Sequence, residues 1–287
     1  MDVISRRQAQ VRGMSERDLQ RLVADGSWTR LRRGWYLTRP PTDDSDRHRQ
    51  LLDTFLVEFG ATAVAGYVSA AVCHGLALHR ADLSTVHLCR VGGGRSKRAP
   101  GVHLHAALRR HPPAQGVEHV ATTVVQIASL DLEAGLVAAD DALHRALLTR
   151  EDLARAAAAR RLATGAERVR QLALRADARH ESAAETLAAM RLCEAGILVD
   201  PQFRVPDTGR WTRNGEGYRT DFRVRGTRVL IEFDGAGKYD EPGALWREKQ
   251  REDRIRSLGW IVVRLVWSDL FHGRVAAKVG AALAMAC

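Results

Sequence analysis

The sequence predicts a multidomain α+β protein. It comprises a small helical unit closed by a hairpin at residues 1–40, a central α+β domain at 51–166, and a C-terminal mixed sheet flanked by helices at 171–287. Three observations carry this. Ala-rich segments with helical apolar spacing are interleaved with short runs in which apolar and polar residues alternate, so helix and strand share the chain. A chain of 287 residues can bury two or three separate cores. Pro40-Pro41-Thr42-Asp43-Asp44-Ser45, polar and proline-bearing, reads as a linker after the first unit.

Composition sets the class. Hydrophobic residues at 45% and charged residues at 27% describe a folded globular protein. Forty-four Lys and Arg against thirty-four Asp and Glu give a formal charge of +10, mostly from arginine, whose planar fork matches phosphate geometry. Nucleic acid is therefore the favoured partner, and DNA the one the motifs below select. Cys73, Cys89, Cys193 and Cys287 form no CxxC pair, which argues against a cysteine zinc site or a disulfide framework. No apolar run of about 18 residues occurs, and MDVISRRQAQVRG lacks the apolar core of a secretion signal. The expectation is a cytoplasmic protein without a membrane partner.

In the first unit, Ser15 with Asp18 three residues on marks a helix start, and Leu19, Leu22 and Val23 keep helical spacing up to Asp25-Gly26. SWTRLRRGWYL then places two β-prone runs around Arg32-Arg33-Gly34. Helix, turn, helix and an Arg-tipped hairpin is the order of a winged helix-turn-helix. In that geometry the second helix offers Arg17, Gln20 and Arg21 to the major groove, while the wing sets Arg30, Arg32 and Arg33 against phosphates.

The central region carries fewer signals. TAVAGYVSAAVCHGLAL reads as helix, and TVHLCRV and GVHLHAAL as strands around a hairpin turn at VGGGRSKR, which lacks the Gly-Lys-Ser/Thr ending of a phosphate loop. ADDALHRALLTREDLARAAAARR reads as surface helix. His103 and His105 share one strand face, and His74 and His79 flank a helix end; without a partner at ligand spacing all four are read as structural.

The third region holds the chemistry. RHESAAETLAAMRLCEAG is a helix with Glu181 and Glu185 four apart on one face. Tyr218–Val224 and Arg228–Asp234 are β-type runs about Arg225-Gly226-Thr227, predicting an antiparallel hairpin. Alternation puts Glu232 and Asp234 on one face, and the hairpin brings Asp221 opposite Glu232. Carboxylates crowded in this way call for a cation, and hard oxygen ligands suit Mg2+ or Mn2+; Glu185 supplies a further oxygen directly or through water. GALWREKQREDRIRSLG then forms a helix with Arg247, Arg251 and Arg254 in one basic stripe, and WIVVRLVW reads as a strand from the interior of a covered sheet.

Helix, acidic hairpin, basic helix and apolar strand resemble the PD-(D/E)XK nuclease core. The pieces Asp221-Phe222, Ile231-Glu232-Phe233-Asp234-Gly235, Arg251-Glu252-Asp253-Arg254 and Gly259-Trp260-Ile261-Val262-Val263-Arg264 are similar to the small domains related to very-short-patch-repair endonucleases. The resemblance covers about 100 residues. It implies a restriction-endonuclease-like sheet, metal ligation by Asp221, Glu232 and Asp234 with Glu185 in support, and hydrolysis of DNA phosphodiesters. Asp234 replaces the lysine of the general motif, so Lys238 or Lys249 is expected to orient the attacking water. SRRQAQVRGMSERDLQRLVADGSWTRLRRGWYL, with VSAAVCHGLAL, TTVVQIASLDL and VAADDALHRALL, resembles AbiEi-type antitoxins. That implies DNA binding and autorepression of a toxin operon. The rival to a nuclease is accordingly a repressor or antitoxin whose nuclease-like domain clamps DNA or dimerises, with a cognate toxin and a second copy of the chain as partners.

Overall fold

The structure, a computed structural model, describes residues 2–109, 116–160, 164–206, 208, 217–234 and 244–286. The protein is a mixed α+β chain with three small sheets. It divides into two compact units, Met1–Ala142 with Ala146–Ala176, and Leu143–Arg145 with Asp177–Cys287.

The first unit opens with β1 (Val3–Ser5), α1 (Arg6–Val11), α2 (Glu16–Ala24), β2 (Thr29–Arg32) and β3 (Trp35–Leu37), the strands ordered β1-β3-β2. Both helices start on capping boxes, Ser5 with Gln8 and Ser15 with Asp18, each satisfying two otherwise orphaned amides. Ile4, Ala9, Leu19 and Tyr36 close a small core. Strand β1, too short for a sequence signal, adds the third strand.

Next come α3 (Asp44–Phe59), β4 (Ala63–Ala65), α4 (Tyr67–His74), β5 (Val86–Val91), β6 (Lys97–Ala99) and β7 (Val102–Arg109), with sheet order β4-β5-β7-β6. Val86, Leu88, Val102 and Leu104 point from one face into Leu52 and Phe55 of α3. Two expectations change here. Ala63–Ala65, read as helix, is a strand: all three residues are 3% exposed or less, and their backbone pairs antiparallel with β5. The two long strands pair in parallel, Val86 with Val102, and the glycine-rich stretch leads into β6, which forms the antiparallel pair with β7.

Helices α5 (Val120–Leu130), α6 (Leu132–His144), α7 (Arg150–Ala158) and α8 (Ala166–Arg175) complete the helical part of the chain up to Ala176. The segment read as surface helix, which starts at Ala139, is buried at its beginning, with Ala139, Asp140 and Ala142 each 1% exposed or less, and mostly exposed or half-buried from His144 on. Its charges mark only one side, and burial of its small residues decides.

In the second unit α9 (Ala183–Glu194) precedes β8 (Val199–Val205), β9 (Tyr218–Val224) and β10 (Val229–Phe233). Helix α10 (Ala244–Ser257) then crosses to β11 (Ile261–Leu265), and α11 (Arg274–Ala286) closes the chain. Strand order is β11-β10-β9-β8, antiparallel except for β10 with β11, the parallel pair that a helical crossover allows. Ile255 of α10 packs with Leu230, Tyr218 and Val205, while α11 packs on α9, β10 and β11. β11 is an edge strand rather than an interior one; helices cover its faces, which gives the same apolar composition. Gly226 turns the β9–β10 hairpin at φ +72, a conformation that L side chains seldom adopt.

Among the described residues no helix is long and apolar enough to cross a membrane.

Candidate functional site

The β9–β10 ladder runs through Leu230 with Arg223 and Ile231 with Phe222, and then opens. One step on, Asp221 stands across from Glu232. Two side chains take over from the backbone there: Thr220 Oγ1 donates to the Ile231 carbonyl at 2.9 Å, and Asp221 Oδ2 accepts from the Phe233 amide at 2.7 Å. A carboxylate that accepts a main-chain N–H is held in place. Valine, leucine and isoleucine at 229–231 are fully buried, so the hairpin is anchored where the acidic residues begin.

Glu185 comes from the first turn of α9 and is 6% exposed. Its carboxylate accepts from Ser182 Oγ at 2.8 Å, from the Glu181 amide at 3.0 Å and from Gln202 Nε2 at 2.9 Å. Burial pushes the Glu185 pKa above the usual carboxylate range and the charge of Asp221 adds to this, against the opposing effect of its hydrogen bonds. Glu181 does not share a helix face with it: Ser182 is the N-cap, so Glu181 lies outside the helix and pairs with Arg219 at 2.8 Å. A Ser-x-x-Glu spacing is itself a capping signal, and it decides the boundary.

Gln202 was not singled out by the sequence. It lies between the pairs Pro201 with Phe222 and Phe203 with Thr220, hence across from Asp221, and its backbone sits at φ +54. A non-glycine residue in that region costs of order 1–3 kcal/mol and is kept where surroundings fix it. Only a polar residue inside an otherwise strand-like run hinted at it.

Asp234 is placed differently from its two companions. Arg264, register partner of Glu232, reaches Asp234 at 3.3 Å through Nη1 and Glu252 at 3.0 Å through Nη2. Among the described residues, Asp221, Glu232 and Asp234 do not bring one oxygen from each within 4.8 Å of the others. Asp221 and Glu232 at the opened ladder suit a hard divalent cation as acceptor-only donors, whereas Asp234 would have to leave its guanidinium to join them. Lys238 lies outside the described residues. Arg247 and Lys249 fall on α10, with side chains outside the description. Arg251 is exposed with its guanidinium 4.7 Å from the Tyr218 ring centre, and Arg254 is half-buried.

In the first unit Arg17, Gln20 and Arg21 are exposed on α2, and Arg30 and Arg33 on the hairpin. Gln20, Arg30 and Arg33, with Arg6, line a hollow of about 610 Å3 between helix and hairpin. Arg32 turns the other way. Its Nε donates to Thr54 Oγ1 at 2.7 Å, its Nη2 pairs with Glu58, and its guanidinium lies 4.2 Å from the Phe55 ring centre, so it fastens the hairpin to α3. The sequence could not separate Arg32 from Arg30, which plain alternation would place on the same face; a register shift in the β2–β3 pairing between the two residues parts them.

No family model matches the sequence. The chain is 27% identical over 278 residues to the uncharacterized proteins MT2308 and Rv2248 of two Mycobacterium tuberculosis strains, covering 93% of this chain and 96% of theirs. It is also similar to the crystal structure of the RV2827C protein from Mycobacterium tuberculosis, at a TM-score of 0.36 and 16% identity, over 61% of this chain and 76% of that one.

Proposed function

We propose that the protein binds DNA through its first unit and hydrolyses phosphodiesters with its second, as a metal-dependent endonuclease of PD-(D/E)XK type. The supporting observation is the opened β9–β10 ladder, with Asp221 fixed by the Phe233 amide, Glu232 across from it and Glu185 near enough for the charge of Asp221 to raise its pKa. The element order from α9 through β8, β9, β10 and α10 to β11 is the one expected of that core. Asp221 and Glu232 would hold Mg2+ or Mn2+, which when bound supplies the positive charge that polarises the scissile phosphodiester. Glu185, its pKa raised by burial, accepts a hydrogen bond from the side chain of Gln202, which stands across from Asp221 on β8. Arg251 is exposed on α10 to meet the DNA backbone. On the first unit, a winged helix-turn-helix reading gives Arg17, Gln20 and Arg21 to base edges and Arg30 and Arg33 to phosphates.

The test is cleavage of plasmid and linear DNA by the full chain over a titration of Mg2+ and Mn2+. Asp221→Asn and Glu232→Gln are each expected to slow cleavage by about 100-fold or more with unfolding midpoints retained. Activity persisting in both variants would remove the assignment.

A second reading is favoured by the Asp234–Arg264 pair, which stands where the nuclease motif has its lysine. It is a repressor or antitoxin of AbiEi type with a cognate toxin as partner, whose second unit clamps DNA or dimerises. It predicts tight binding to one operator, lost on changing Arg17 or Arg21, with no cleavage at any metal concentration.

A further inference from the structure

The parallel pairing of β5 with β7 creates a cluster that neither strand reveals alone. His87 is register partner of His103, and Cys89 of His105, so His87, His103 and His105 emerge on one face of the sheet. The other face is the apolar one packed on α3. The donor atoms of the three rings all lie within 4.8 Å of one another, and His105 Nε2 is 3.1 Å from His87 Nδ1.

We infer that His87, His103 and His105 form a binding site for a divalent transition-metal ion, with zinc the ion best suited to three imidazoles. Zn–N distances of about 2.0–2.1 Å in a tetrahedral shell put neighbouring donors roughly 3.3 Å apart. The His87–His105 spacing is already close to that. The surroundings hold the rings in place: Tyr67 stacks on His105 and His103 stacks on its other neighbour side, with ring centres 3.8 Å apart in each pair. One ring nitrogen of His103 faces Ser96 Oγ at 3.0 Å, the kind of outer partner that orients a ligand and fixes its tautomer. Tyr67 itself sits at φ +50, secured by the Gln126 side chain at 2.8 Å, a strained conformation that places its ring against the cluster.

His105 Nε2 and His87 Nδ1 are hydrogen-bonded to each other at 3.1 Å, so a metal ion would replace the proton shared by that pair, and His103 would turn from its stack on His105 to reach it. The charged groups facing the cluster are Asp82, which favours a cation, and Arg98 and Arg160, which oppose one. A hollow of about 260 Å3 lined by Asp82, Thr85, His87, Arg98 and His103 opens beside it. Three protein ligands leave a fourth position, and Arg98 at that opening suits an anionic or water-derived fourth ligand. Imidazole donors distinguish this site from the carboxylates of the second unit, which suit Mg2+.

The full-length chain, freed of metal by chelation, is titrated with Zn2+ against a competing chelator, and then loaded with Co2+ for absorption and X-ray absorption spectra. One zinc per chain is expected, with nitrogen scatterers at about 2.0–2.1 Å. His103→Gln should weaken zinc binding by more than about 100-fold, and Ser96→Ala by about 10-fold. Asp221→Asn combined with Glu232→Gln should leave zinc binding unchanged. Ser96 is exposed, so that variant tests the site without endangering the fold. A shell containing sulfur, zinc binding that survives His103→Gln, or binding that follows the acidic residues overturns the assignment. Absence of any stoichiometric zinc in the wild-type chain does so as well.

Discussion

Arg32 and Arg33 stand side by side in the β2–β3 hairpin, one half-buried over Phe55 and one exposed. Their charge is the same, so the difference between them is purely one of surroundings. A guanidinium stacked on an aromatic ring and hydrogen-bonded to a hydroxyl and a carbonyl contributes to folding through packing as much as charge. Arg32→Ala is therefore expected to lower stability by about 1–3 kcal/mol, as read from urea unfolding. Arg33→Ala should leave stability within about 0.5 kcal/mol and reduce the dependence of log K on log salt by about 0.9, the loss of one phosphate contact. If the two substitutions behaved alike in both measurements, the division of labour drawn from the structure would be wrong.

At the scale of elements, sequence patterns found most segments and misjudged what lay beside them. The β9–β10 hairpin was legible because apolar alternation and a glycine turn coincide at Gly226. The depth of α6 was not, because Ala and Gly carry little apolar signal yet permit close approach. Gly135 of α6 shows this: a Cβ there would sit 2.4 Å from Ala128 Cβ and 2.5 Å from its Cα, on α5. Two effects oppose each other in Gly135→Ala. Helix propensity gains about 1 kcal/mol, while overpacking against a backbone costs about 1–3 kcal/mol. Since the obstruction is main chain and cannot rotate away, the clash wins, and the thermal midpoint should fall. A rise in midpoint would show that α5 and α6 can separate at little cost.

At the scale of the molecule, a buried histidine makes the stability of the first unit depend on pH. In the first unit His48, 1% exposed, ties α3 to the rest: its ring nitrogens lie 2.8 Å from the Leu83 carbonyl and 2.8 Å from Ser69 Oγ. Burial lowers its pKa, against smaller raising effects from the Leu83 carbonyl and Asp82. The unfolded chain therefore takes up this proton more readily than the folded one. Stability is complete above the unfolded value near 6.5 and is lost as pH falls from there through the folded pKa. The slope for one proton is at most about 1.4 kcal/mol per pH unit. Urea midpoints between pH 7.5 and 5 should fall in the wild-type chain, and less steeply in His48→Gln. Equal slopes in both would mean that burial does not shift the His48 pKa between the unfolded and the folded chain.

The sequence by itself determined the mixed α+β class, the basic charge, the capped helix α2, the arginine-bearing hairpin and the acidic β9–β10 pair. Each of these is encoded by local periodicity, capping chemistry or turn residues within a few positions of one another. Tertiary structure alone decided that Asp234 faces Arg264, that Gln202 stands across from Asp221, that Arg32 turns inward and that His87 joins His103 and His105. Those relations join residues from 16 to 30 positions apart through strand register and helix packing, which depend on how buried surfaces fit together and leave no periodic trace along the chain.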